Sequence, residues 1–194
     1  MNKSFIFVLM SVLVTLLSLS QEKGKEANAK MPSGFRGEFL YQLDDVSKKI
    51  VDLAEAVPTE KYTWRPMEGV RSISEVYMHI AGANYLLPSF VGFKPPAGMN
   101  RDMEKTVTEK ANVVKFLKQS FEFIRKAIME TSDSDLDKPA KIFGRETTMR
   151  GVFFEIANHM HEHLGQSIAY ARMNKIVPPW TAAEQAQQKQ NSKK

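Results

Sequence analysis

The chain has 194 residues and no cysteine. Without thiols it can form no disulfide, offers no thiolate to a metal, and carries no lipid of the bacterial lipoprotein type, whose attachment needs a cysteine after the cleavage site. Histidine is almost as scarce, with four in all, and tryptophan occurs twice. There is one long apolar run, at the N-terminus, and its 13 residues from Phe5 to Leu17 fall short of the roughly 20 needed to cross a bilayer. The charge balance of +5 has no basic block behind it, because lysines and arginines alternate with acids along most of the chain. Nucleic acid is therefore not an expected partner.

What is present begins with that run. Lys3 supplies a positive start, Phe5 to Leu17 an apolar stretch, and Ser18-Leu19-Ser20 a small-x-small cleavage pattern. This is the layout of a signal peptide over residues 1–20, and it predicts an exported protein, periplasmic or secreted, with no integral span after cleavage. A leader retained as an anchor is the alternative. Residues 21–33 are polar and small and read as a flexible linker, and 181–194 read as a disordered polar tail. Between them, 34–180 form one expected domain.

Helical periodicity dominates that domain. Phe39, Leu40, Leu43, Val46, Ile50, Leu53 and Ala54 recur at threes and fours, and Pro58 ends the helix they define. Ser72-Ile73-Ser74-Glu75 has the form of a capping box opening a second helix with Val76, Ile80, Ala83 and Leu87 on its apolar stripe. Thr106-Val107-Thr108-Glu109 repeats the pattern before a third helix carrying Val113, Phe116, Leu117, Phe121, Ile124 and Ile128. After a stretch, AKIFGRE, that suits a short hairpin, a fourth helix is expected from Thr147 or Thr148 to about Ala171. Four long helices without a convincing sheet predict an all-α protein, a four-helix bundle.

Three of the four histidines lie in ANHMHEHLGQ, residues 157–166. At about 100° per residue, His159 and His163 stand about 40° apart on one face, while His161 points away by about 200°. Val152, Ile156 and Tyr170 share the face of His159 and His163, which turns that pair inward. His79 falls in the apolar stripe of the second helix. Packing as a hydrogen-bonded core residue is the ordinary fate of a single inward histidine. An inward pair one turn apart is harder to bury, since each neutral ring requires one donor and one acceptor partner. Three imidazoles from two helices suit a divalent metal with positions left open for water or substrate. The zinc-protease pattern H-E-x-x-H is not met, because Met160 stands where its glutamate would be, and H-x-H-x-D-H is a loop motif one residue longer.

These segments resemble the DinB-like (DinB/YfiT-like) family of metal-dependent four-helix bundles. The likeness runs from about 35 to 180. It is carried by WRPMEGVRSISEVYMH, Trp64 to His79, by HMHEHLGQ, His159 to Gln166, and by the following YARMNKIVPPW. The resemblance implies His79, His159 and His163 as metal ligands, an ion such as zinc, nickel or iron, and a homodimer. It also implies kinship with enzymes that act through a low-molecular-weight thiol. Leu164 departs from the arginine that many members have there.

Around this set, Glu75 and Glu155 each precede a histidine by one turn, and Glu155 is the candidate catalytic base. For Glu75 the capping box is already a sufficient account. Gln166 borders the stripe and suits either of two roles, bonding a ligand histidine or capping a buried carbonyl, neither of them catalytic. Phe154, His161 and Ile168 make an opposite stripe suited to a homodimer contact. The expected function is a metal-dependent enzyme, hydrolase or thiol transferase in type, with a small-molecule substrate. A non-catalytic protein that binds metal or a small ligand is the alternative.

Overall fold

A computed structural model describes residues 32–192. The expected signal peptide and nearly all of the expected linker lie outside these residues, as do the last two of the tail. Helix α1, Gly34–Ala56, buries all seven of the apolar positions read from its sequence, Phe39 through Ala54. Tyr62 closes its far end from a following 3-10 turn, donating its hydroxyl to the Ala54 carbonyl at 2.7 Å. Helix α2, Ile73–Ser89, opens on the expected capping box. Glu75 N–H donates to Ser72 Oγ at 3.3 Å, and Ser72 N–H donates back to a Glu75 carboxylate oxygen at 2.6 Å.

The second expected capping box does not form. Thr106 ends a one-turn helix, α3 (Met103–Thr106), and its hydroxyl donates backward to the Asp102 carbonyl at 3.0 Å. Helix α4, Lys110–Glu130, instead starts after Glu109 with no side-chain cap. A threonine hydroxyl can bond a carbonyl behind it as readily as an amide ahead of it, and here the short helix captured it. The apolar series of α4 is as expected, with Val113, Leu117, Phe121, Ile124 and Ile128 buried and Phe116 half-buried.

Strands β1 (Pro139–Ile142) and β2 (Arg145–Thr148) form an antiparallel hairpin that pairs Pro139 with Thr148 and Ile142 with Arg145. The hairpin runs directly into α5, Met149–Met173, where Thr148 Oγ1 accepts from the Gly151 amide at 3.2 Å. Gly151 has a steric reason to be glycine: a Cβ there would come within 2.1 Å of Thr147 Oγ1. α1 and α2 each pack against both α4 and α5, so the four long helices surround one apolar core.

The stretch expected to be a disordered tail is helical as far as Asn191. Helix α6, Pro179–Asn191, starts with proline in its first turn, and its Ala, Gln, Glu and Lys residues are intrinsic helix formers. Trp180 packs half-buried against the core while the rest of α6 is mainly exposed. Among the described residues, no helix is long and apolar enough to cross a membrane.

Candidate metal centre

The capping box fixes where α2 begins, and His79 then falls about two turns into the helix beside α5. His159 and His163 project from α5 one turn apart. Their rings meet: centroids lie 5.0 Å apart for His79 and His159, 4.7 Å for His79 and His163, and 4.4 Å for His159 and His163. One nitrogen from each ring falls within 4.8 Å of the others, close enough for the three to hold one ion. His163 is buried and the other two are half-buried. His161 is exposed and takes no part, in keeping with its place on the far side of the helix.

The outer nitrogens are tied down. His79 Nδ1 stands 2.9 Å from a Glu104 carboxylate oxygen, and because an ionised carboxylate only accepts, Nδ1 carries the proton. The lone pair of His79 is thereby on Nε2, turned toward His159. His163 Nδ1 donates in the same way to Gln166 Oε1 at 2.8 Å, and Gln166 is itself held through its amide to the Tyr170 hydroxyl at 3.2 Å. Bonds of this kind fix tautomer and ring orientation around a metal.

His159 is the ring the protein leaves in difficulty. Its Nε2 lies 3.1 Å from His79 Nε2, and its Nδ1 is buried without a hydrogen-bond partner. A proton on Nε2 bonds the pair but strands the Nδ1 lone pair; a proton on Nδ1 makes two lone pairs face each other. A cation held by both Nε2 atoms removes that second conflict. Two nitrogens each about 2.1 Å from one ion and subtending about 90° to 109° stand about 3.0 to 3.4 Å apart, a range that contains the observed separation.

The electrostatics favour neutral imidazoles at His79 and His159. Burial lowers the pKa of His79, and the bond to Glu104 opposes that only in part. His159 falls to about 3, through burial first and then the neighbouring His163 and His79. Glu104 is pushed the other way by burial, yet bonds from Arg71 and His79 prevail and hold its carboxyl below the usual range. Arg71 Nε donates to the second Glu104 oxygen at 2.7 Å, so both oxygens are engaged. Neutral rings present lone pairs, and an ionised carboxylate behind one of them raises its basicity.

The remaining sequence candidates divide. Glu75 is occupied by its cap and by Arg65, whose Nη2 lies at 3.3 Å. Glu155 pairs with Arg145 at 3.2 Å on the flank of α5 and has no hydrogen bond to His159. Gln166 takes the first of the two roles open to it, accepting from His163 Nδ1. Leu164 is buried, so it serves packing. Glu104 and Arg71 were not identified from sequence. Glu104 is 25 residues from His79, on a one-turn helix after a proline-containing loop, and no periodicity connects the two.

Comparison with known proteins bears on both fold and site. Solved structures share the fold, among them the following three. A DinB-like protein from Bacillus cereus is 20% identical with a TM-score of 0.66, over 73% of this chain and 93% of that one. A DinB-like protein from Bacillus subtilis is 19% identical with a TM-score of 0.58, over 72% and 93%. A conserved protein from Enterococcus faecalis is 13% identical with a TM-score of 0.57, over 68% and 92%. Comparison with curated proteins gives no match. The family model of the DinB superfamily matches residues 42–167, a span that takes in His79, His159 and His163, and the chain belongs to that superfamily.

Proposed function

We propose that His79, His159 and His163 bind one divalent ion, zinc, nickel or iron, and that the chain is a metal-dependent enzyme of hydrolase or thiol transferase type. The observation that carries this reading is the convergence of three imidazole rings, with Nδ1 of His79 and of His163 each tied to an acceptor. Bound there, the ion would supply Lewis acidity toward a carbonyl, or lower the pKa of water or a thiol. Glu104 and Gln166 orient two of the rings, and Arg71 keeps Glu104 ionised and in place. No cysteine exists to close the site, which favours open positions over a structural centre.

Metal analysis of protein purified without an affinity tag tests the binding. About one ion per chain is expected for wild type, falling below a tenth in His163→Ala, because two imidazoles hold an ion far less well than three. Less than a few tenths of an ion in wild type overturns the reading. A panel of esters and thiol acceptors, run on wild type and His163→Ala, then tests turnover.

One observation favours a second reading, a non-catalytic binder of metal or a small ligand. Glu104 has both oxygens committed, and Glu155 is paired with Arg145, so neither is a free general base. Metal binding with no turnover on either panel selects it. Export is proposed from the leader composition of residues 1–20, and N-terminal sequencing of the mature protein tests it. A homodimer is proposed through Phe154 and His161 of the α5 stripe, both exposed, and Tyr41 of α1, which lines an open groove of about 590 Å³ with Phe154, whereas Ile168 of that stripe packs half-buried against the core and takes no part. A monomeric mass by light scattering would count against it.

A further inference from the structure

Beside His79 the structure holds a cavity of about 480 Å³, between the outer face of α2, the loop before α3 and the hairpin tip. That volume is in the range of small-molecule sites. Three features of its wall have no explanation in the stability of the fold.

The first is Gly82, on α2 three residues after His79. Its φ is ordinary for a helix, and a Cβ built on it would meet nothing within 4 Å. Glycine in a helix interior costs about 1 kcal/mol relative to alanine, and neither backbone conformation nor close packing requires it here. What the missing side chain does is leave room in the cavity.

The second is Phe143, which forms the hairpin turn with Gly144. Its φ is +48°, where a bulky residue is strained, and it remains 70% exposed. Its ring rests edge-on against Phe90 with centroids 5.0 Å apart, at the cavity rim. Burial does not repay this strain.

The third is charge. Two guanidinium groups, Arg71 and Arg101, line the cavity with one carboxylate, Glu104. Both Glu104 oxygens are taken by Arg71 and His79, whereas Arg101 has no ion pair among the described residues. The remaining wall is largely apolar, with Met78, Leu86 and Met103 alongside Phe143.

We propose that this cavity is the substrate subsite and takes an anionic small molecule with an apolar body. Arg101 pairs with its anionic group, Phe143 and the α2 side chains cover its body, and Gly82 provides the space. The proposal rests on the metal-centre reading only in assigning the occupant as substrate. The cavity and its charge exist without the ion.

Calorimetric titration of the full chain, metal-free and zinc-loaded, with decanoate, decanol and acetate tests it. Decanoate should bind about 10-fold or more tighter than decanol, and acetate too weakly to measure, since a charged hydrogen bond and chain burial both contribute. Arg101→Gln should weaken decanoate about 10-fold and leave decanol unchanged. Gly82→Leu should abolish binding of both while zinc stays at one per chain. Gly82→Ala, which suits the helix better than glycine, serves as the folded companion and should weaken the long chain without loss of zinc. Decanoate affinity equal to that of decanol, or indifferent to Arg101 and to both Gly82 variants, overturns the proposal. Decanoate binding that follows these variants in a protein that takes up no zinc would sink the metal-centre reading and leave the cavity as an anion site.

Discussion

Glu104 joins two cationic or donor groups to one carboxylate, with Arg71 on one oxygen and His79 on the other. Replacing it with glutamine keeps the shape but removes the charge behind the imidazole. Glu104→Gln is therefore expected to lower zinc affinity about 10- to 100-fold, measured by competition with a chromophoric chelator, with helix content unchanged. Asp133 offers a comparable case away from the site. Arg36 donates Nε to it at 2.7 Å and also donates to the Thr131 carbonyl at 2.9 Å, pinning the turn after α4 to α1. The Arg36 bond holds the Asp133 carboxyl below its ordinary 3.8. A carboxyl whose pKa is lower folded than unfolded adds stability above the unfolded value and loses it as pH falls through the folded one. Asp133→Asn should thus lower the urea midpoint at neutral pH, and the gap to wild type should narrow as pH drops below 3.8.

Among the elements, α2 depends most on its start. Ser72 is buried, and its hydroxyl satisfies one of the amides that a helix leaves unpaired. Ser72→Ala is expected to cost about 1 kcal/mol by denaturant unfolding. Because His79 is read from the same helix, the variant should also broaden or weaken zinc uptake. The two serine and threonine patterns of the chain show what a motif can and cannot foretell. Ser72-x-x-Glu75 follows a turn-rich segment and forms the box, while Thr106-x-x-Glu109 follows a one-turn helix that uses Thr106 for its own end. The difference lies in Met103–Thr106, a helix too short to show apolar periodicity. The final helix shows the same limit from the other side. Polar composition reads as disorder, yet Trp180 anchors the first turn against the core and helix-forming residues carry the rest.

For the molecule as a whole, the proposed ion bridges α2 and α5, so its binding should stabilise the packed bundle over the unfolded chain. With free zinc at 100 times its dissociation constant, linkage gives about 2.7 kcal/mol. In a domain of this size that corresponds to a Tm rise of about 5 to 10 °C, removed by chelator and absent in His163→Ala. An unchanged Tm at saturating zinc would mean that the rings do not share an ion. The apolar spacing by itself determined the four long helices and which face of each is buried, because burial follows a 3.6-residue period that a linear text displays. It also determined that His159 and His163 face one way and His161 another. Only the tertiary structure decided that His79 reaches them, that Glu104 and Arg71 stand behind it, and that a cavity opens at Gly82. Those relations join residues far apart in the chain, and the helix packing that sets such distances has no counterpart in local periodicity.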